Sequence, residues 1–139
     1  ILKNDEVYII ELTGRVGANC LPELVEINYD IEYYKMIASM AISENPLEFW
    51  SKKSKENKAG LARMIIETKE SGILKEIVNS NEKDDDIVEI TFFKEENDEI
   101  RKFENSNDCI GQVIVKADNI KRCEEKLKEI ESNIKLILK

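Results

Sequence analysis

The first apolar run, Val7 to Leu12, carries hydrophobic residues on both faces, which predicts a central strand covered on both sides. Residues Asn4 to Glu6 read as the turn that feeds it. Gly14 and Gly17 then punctuate a loop, where the backbone can turn and approach a neighbour closely. From Leu21 to Ile27 the pattern predicts a short helix with Pro22 in its first turn, where proline is tolerated. Asp30 is placed as the N-cap of a stronger helix over 31–42, with Tyr33, Tyr34, Met36, Ile37, Met40 and Ala41 as its packing stripe. Pro46 stops that helix, since the residue before a proline is pushed out of the helical region. Leu47 to Trp50 is expected to fold back as an apolar plug.

The charged stretch 51–58 is expected to be a solvated loop and the best seam between subdomains. Beyond it the period changes to that of strands. Strands are predicted over 60–68, 73–78, 87–93 and 110–115, with Ile100 to Phe103 extending a hairpin. Asp118 or Asn119 caps a last helix whose apolar face is Ile120, Cys123, Leu127 and Ile130. Ile134, Leu136 and Leu138 alternate as a final strand. The fold class is therefore α+β, a mostly antiparallel sheet with packed helices.

Composition removes several kinds of function. The net charge of −8 argues against nucleic acid, because a phosphate backbone needs a basic face. No apolar run reaches the length of a membrane span, so no membrane partner is expected. With no histidine, imidazole acid–base chemistry and His-ligated zinc are excluded. Cys20, Cys109 and Cys123 are odd in number and far apart, which suits reduced thiols in a cytoplasmic protein. Cys20 has no histidine to activate it and reads as a small, half-buried thiol. The triplet Asp84 to Asp86 lacks the spaced acids, central glycine and terminal glutamate of a calcium loop and reads as a solvated turn. The sequence enters a strand within a few residues of Ile1, with no secretory leader before it. It is expected to be a segment of a longer protein.

The candidate chemistry lies at the end of the first strand. Glu11, Thr13 and Arg15 alternate, so an extended backbone would point all three to one face. A bound metal–phosphate group would satisfy an acid, a hydroxyl and a guanidinium there, and so would ordinary salt bridging.

The run Ile9-Ile-Glu-Leu-Thr-Gly-Arg-Val-Gly-Ala-Asn-Cys-Leu-Pro-Glu-Leu-Val25 resembles the late metal-binding strand of the ATP-grasp superfamily. That superfamily includes biotin carboxylase, carbamoyl phosphate synthetase and many carboxylate–amine ligases. Its strand typically reads Glu-x-Asn-x-Arg, followed by a glycine-containing loop and a helix. The segments 71–75 and 105–115, followed by a capped helix, are similar to the C-terminal tail of such ligases.

The resemblance implies residues 1–50 as the end of the ATP-grasp domain and 51–139 as a β-rich C-terminal subdomain. It implies that ATP phosphorylates a carboxylate substrate, and that an amine or other nucleophile then displaces the phosphate. Glu11 aligns with the glutamate that holds Mg2+, and Arg15 with the arginine that steadies the transferring group. Thr13 stands where the family has its second metal-binding residue, an amide. Gly14, Gly17 and Asn19 form the loop that approaches cofactor and substrate. The family's phosphate-binding lysines and first acidic ligand lie upstream of this strand. This chain alone is therefore expected to be inactive and to need the missing N-terminal half as its partner. The alternative is a non-catalytic interaction or dimerisation module that keeps a relict metal-binding strand, with homodimers as one outcome.

Overall fold

A computed structural model describes residues 1–12, 14–50, 58–65 and 70–139, without side chains at 62–65. Thr13, most of the expected loop at 51–58 and the end of the strand expected over 60–68 lie outside the described residues.

Three antiparallel strands form the central sheet: β3 (Ala59–Ile65), β7 (Gly111–Ala117) and β5 (Ile87–Phe92), in the order β3-β7-β5. Most residues of the middle strand are buried. Val113, Val115 and Ala117 point from it into the main core, against Cys123, Leu127 and Ile130 of α3 (Ile120–Ser132). Ala59 and Leu61 of β3 join the same core. Side chains alternate along a strand, so Gln112, Ile114 and Lys116 face the other way. Gly60, paired with Lys116, shares that second face. There a Cβ on Gly60 would lie 3.1 Å from Leu24 and Ile27 of α1 (Leu21–Tyr29). The sheet is thus sandwiched, with α3 on one face and α1 on the other.

A second sheet pairs β4 (Gly72–Asn79) with β6 (Glu99–Ile100) on one side and β8 (Ile134–Leu138) on the other. Leu74, Ile100 and Ile110 form its buried core, with Ile77, Leu136 and Leu138 packed around them. Asn119 caps α3 as expected, its side chain accepting from the Arg122 amide at 3.0 Å. At the other end, the Asn81 side chain donates to the Ile130 carbonyl at 3.1 Å, satisfying one of the last carbonyls of the helix.

Five expectations are corrected. The segment Val7 to Leu12 is not a buried strand. Only Glu6–Val7 (β2) pairs, with Leu2–Lys3 (β1), around a turn at Asn4 and Asp5, and Ile10 and Leu12 are 77% and 88% exposed. A strand covered on both faces needs neighbours on both sides, and among the described residues these are not supplied. Asp30 does not start the second helix; it ends α1 in the left-handed region at φ 52°, and Glu32 precedes α2 (Tyr33–Ala41). On α2 the expected stripe is half-buried at Met36 and Ile37 but exposed at Tyr34, Met40 and Ala41. The third hairpin strand, β6, joins β4 through Gly72–Ile100 pairing instead of extending from β5. After α2, Pro46–Phe49 forms a 3-10 turn with Phe49 half-buried, but Leu47 and Trp50 remain exposed, so the plug is partial.

Candidate functional site

The candidate site is the segment from Glu11 to Cys20 and the start of α1. Glu11 and Arg15 are both exposed, and the Arg15 guanidinium donates to the neighbouring Val16 carbonyl at 3.2 Å. Thr13 lies outside the described residues. A Cβ on Gly14 would meet nothing within 4 Å among the described residues, whereas one on Gly17 would lie 2.9 Å from Leu21 Cδ1.

The left-handed turn of this loop does not fall on either glycine. It falls on Asn19 and Cys20, at φ 58° and 63°, and no glycine among the described residues has a positive φ. Two consecutive non-glycine residues in this region are uncommon, and each is disfavoured by Cβ crowding. Cys20 makes two hydrogen bonds in this conformation. The Cys20 thiol donates to the Gln112 side-chain oxygen on β7 at 3.0 Å, and Leu24 N–H bonds the Cys20 carbonyl at 3.0 Å as α1 begins. Burial, helped by the Glu23 and Glu89 carboxylates, pushes the Cys20 thiol pKa up, so it stays protonated at neutral pH and can donate.

Glu23, in the first turn of α1, accepts a 2.5 Å hydrogen bond from the Tyr34 hydroxyl, and Glu26 accepts from the Tyr34 amide at 3.3 Å. The Glu23 bond is the main reason that the Tyr34 phenol is pushed up to about 12. These bonds lock α1 to α2. The second oxygen of Glu23 is buried without a hydrogen-bond partner among the described residues. Neither Gln112 nor Glu23 was marked by sequence reasoning. Glutamate at the third helical position is a recognisable signal for a capping box. Nothing local announces a glutamine 92 residues from its partner.

One carboxylate does not make a magnesium site, since that ion takes about six oxygens, several of them water. Among the described residues, no three acidic or thiol side chains converge in a way that could hold a metal. The described residues therefore do not by themselves form a metal–phosphate site. No helix among them is long and apolar enough to cross a membrane.

Residues 64–139 match the family model for L-amino acid ligase C-terminal domain 2. The chain belongs to that family. It also matches, with 82% identity over its whole length and a TM-score of 0.93, the crystal structure of phosphoribosylglycinamide synthetase from Anaerococcus prevotii, of which it covers 35%. An L-amino acid ligase from Bacillus licheniformis shares the fold over 95% of this chain, with a TM-score of 0.75 and 15% identity, and 33% of that protein is covered. No curated protein matches the chain. The chain thus spans about a third of the length of these solved relatives, both ATP-grasp ligases. Its α+β arrangement is the C-terminal part of an ATP-grasp fold, as the resemblance of residues 9–25 implied.

Proposed function

We propose that this chain is the C-terminal lobe of an ATP-dependent ligase that activates an amino-acid carboxylate. The carboxylate oxygen attacks the terminal phosphorus of ATP and ADP leaves, giving an acyl phosphate. An amine then attacks the acyl carbon, phosphate departs, and the amine loses a proton as the amide forms. The observation that carries this reading is the 82% identity, across the full chain, to a protein described as a phosphoribosylglycinamide synthetase. That name and the family's name share one chemistry, an amino acid joined to an amine through its carboxyl group.

In this reading, residues 7–15 complete their strand only against the nucleotide-binding part of the longer protein. Its apolar side chains are the ones left uncovered here: Val7, Ile9, Ile10 and Leu12. Docking would bring Glu11 and Thr13 to the Mg2+ side of the nucleotide and Arg15 to the transferring phosphoryl group, where a permanently charged planar cation suits developing negative charge. Gly14, Gly17 and Asn19 would form the adjoining loop. The division near residue 50 is kept as a boundary of the parent's ATP-grasp domain, although α1 packs on β3 within this chain. The isolated chain lacks the remaining phosphate ligands and is inactive, because phosphoryl transfer depends on many groups positioned at once.

The test is ADP release by the full-length protein with single amino acids, with a second amino acid as amine, and with phosphoribosylamine. Products are identified by mass. Release that requires both an amino acid and an amine supports the ligase, and the productive amine separates the two named chemistries. ATP hydrolysis indifferent to both, or none at all, contradicts it. The second outcome would favour a non-catalytic module that binds a partner or a second copy through the same apolar segment.

A further inference from the structure

We infer that Gln112 is a positioning residue for the segment that carries Glu11 and Arg15, acting through Cys20. The inference rests on the ligase reading above.

Gln112 sits on β7, which is paired on both sides, facing Met64 of β3 and Thr91 of β5. It is therefore fixed by two ladders, in a strand whose neighbouring residues Gly111, Val113, Ile114 and Val115 are buried. A polar side chain at such a position needs a partner, and Gln112 accepts from the Cys20 thiol at 3.0 Å. Cys20 occupies the N-cap position of α1, where a side chain ordinarily bonds an amide of the first helical turn. It makes no such bond and adopts the left-handed region, where N-cap residues are usually extended. Its side chain is directed across to the sheet instead.

The backbone strain at Asn19 and Cys20 thus has a tertiary counterpart in the Gln112 bond. Only four residues lie between Arg15 and Cys20. A shift of the Cys20 turn would move Arg15 relative to the sheet, and a misplacement of about 1 Å can cost about a hundredfold in rate. The bond is part of what fixes the register of the loop, without Gln112 touching the reacting atoms.

The experiment uses the full-length protein and compares Cys20→Ala, Cys20→Ser, Gln112→Leu and the double variant Cys20→Ala/Gln112→Leu. A hydroxyl at Cys20 can donate as the thiol does, while a methyl cannot. The expected result is about a tenfold loss of kcat in Cys20→Ala with little change in the KM for the amino acid. Cys20→Ser restores kcat to within about twofold, and the double variant is no worse than the poorer single one. Unchanged kcat in Cys20→Ala, or serine no better than alanine, overturns the proposal. If Gln112→Leu fails to fold, the alanine–serine comparison still decides. Glu11→Ala is run alongside. Full turnover in that variant is a failure of the ligase reading of the strand, whereas its loss beside an unaffected Cys20→Ala is a failure of the positioning role alone.

Discussion

Gly111 on β7 lies so close to Thr91 on β5 that a Cβ added to it would sit 2.3 Å from the Thr91 carbonyl oxygen and 3.1 Å from the Phe92 Cα. Both neighbours are backbone in a paired strand, so neither can swing aside. Gly111→Ala is expected to destabilise the chain by about 2–4 kcal/mol, as overpacking against fixed backbone does. A urea melt checks this through the midpoint, and a midpoint equal to the unaltered chain's would show that the β5–β7 ladder can yield there.

Asp84 and Asp108 are among the carboxylates that set the acid side of the stability profile. The Lys126 ammonium of α3, followed by the Asp86 amide, holds Asp84 below its ordinary value of 3.8. The Asn105 and Glu104 amides do the same for Asp108. A carboxylate with a lowered folded-state pKa contributes stability that is present above 3.8 and is lost as the pH falls through the folded value. Asp84→Asn is therefore expected to lower the urea midpoint at pH 7 and to make progressively less difference as the pH falls below 3.8. Thermal or urea melts across that window check the sign, and a difference that grows on acidification contradicts it.

Ile10 separates the isolated chain from the longer protein. It is 77% exposed here, so Ile10→Asp is expected to change this chain's stability by less than about 0.5 kcal/mol. If the segment docks in the full-length protein as proposed, the same change would bury a charge there and is expected to cost about 3 kcal/mol or more. Paired denaturation curves give the contrast. Equal effects in the two proteins would mean that the segment docks nowhere.

Nucleotide binding makes a related distinction. The isolated chain is expected to bind Mg-ATP no more tightly than about 1 mM, because it offers one carboxylate and one guanidinium to a ligand that needs a full cradle. Calorimetry at sub-millimolar protein checks this, and micromolar affinity would show that the chain holds a site of its own.

The sequence spoke most clearly where a period is long and both partners belong to this chain. Cys123, Leu127 and Ile130 are buried on α3, and Asn119 caps it. Ile134, Leu136 and Leu138 alternate along β8 toward the second core. An apolar run such as Val7 to Leu12 predicts burial without saying what would supply it, and the described residues do not supply it. Asp30 was assigned to the wrong end of a helix because aspartate suits both an N-cap and a left-handed helix end. β6 was placed beside β5 because neighbouring strands often pair, and here the two Leu74–Asn97 and Leu74–Asp98 backbone bonds show the chain turning back to β4 instead. At the candidate site the loop was legible but its tether was not. Gly14 and Gly17 stand out in the sequence, while Cys20 of the left-handed turn donates to Gln112, which no local pattern connects to it.

The central claim is that Glu11 works at a nucleotide site completed by the rest of a ligase. It is tested most directly by the ATP turnover of the full-length protein with and without Glu11→Ala, at saturating amino acid and amine. The account predicts that turnover falls by about a hundredfold or more while the urea midpoint of the variant stays within error of the parent's, because the side chain is exposed in this chain and acts only on bound nucleotide. Turnover that survives the substitution unchanged would remove Glu11 from the site and contradict the account.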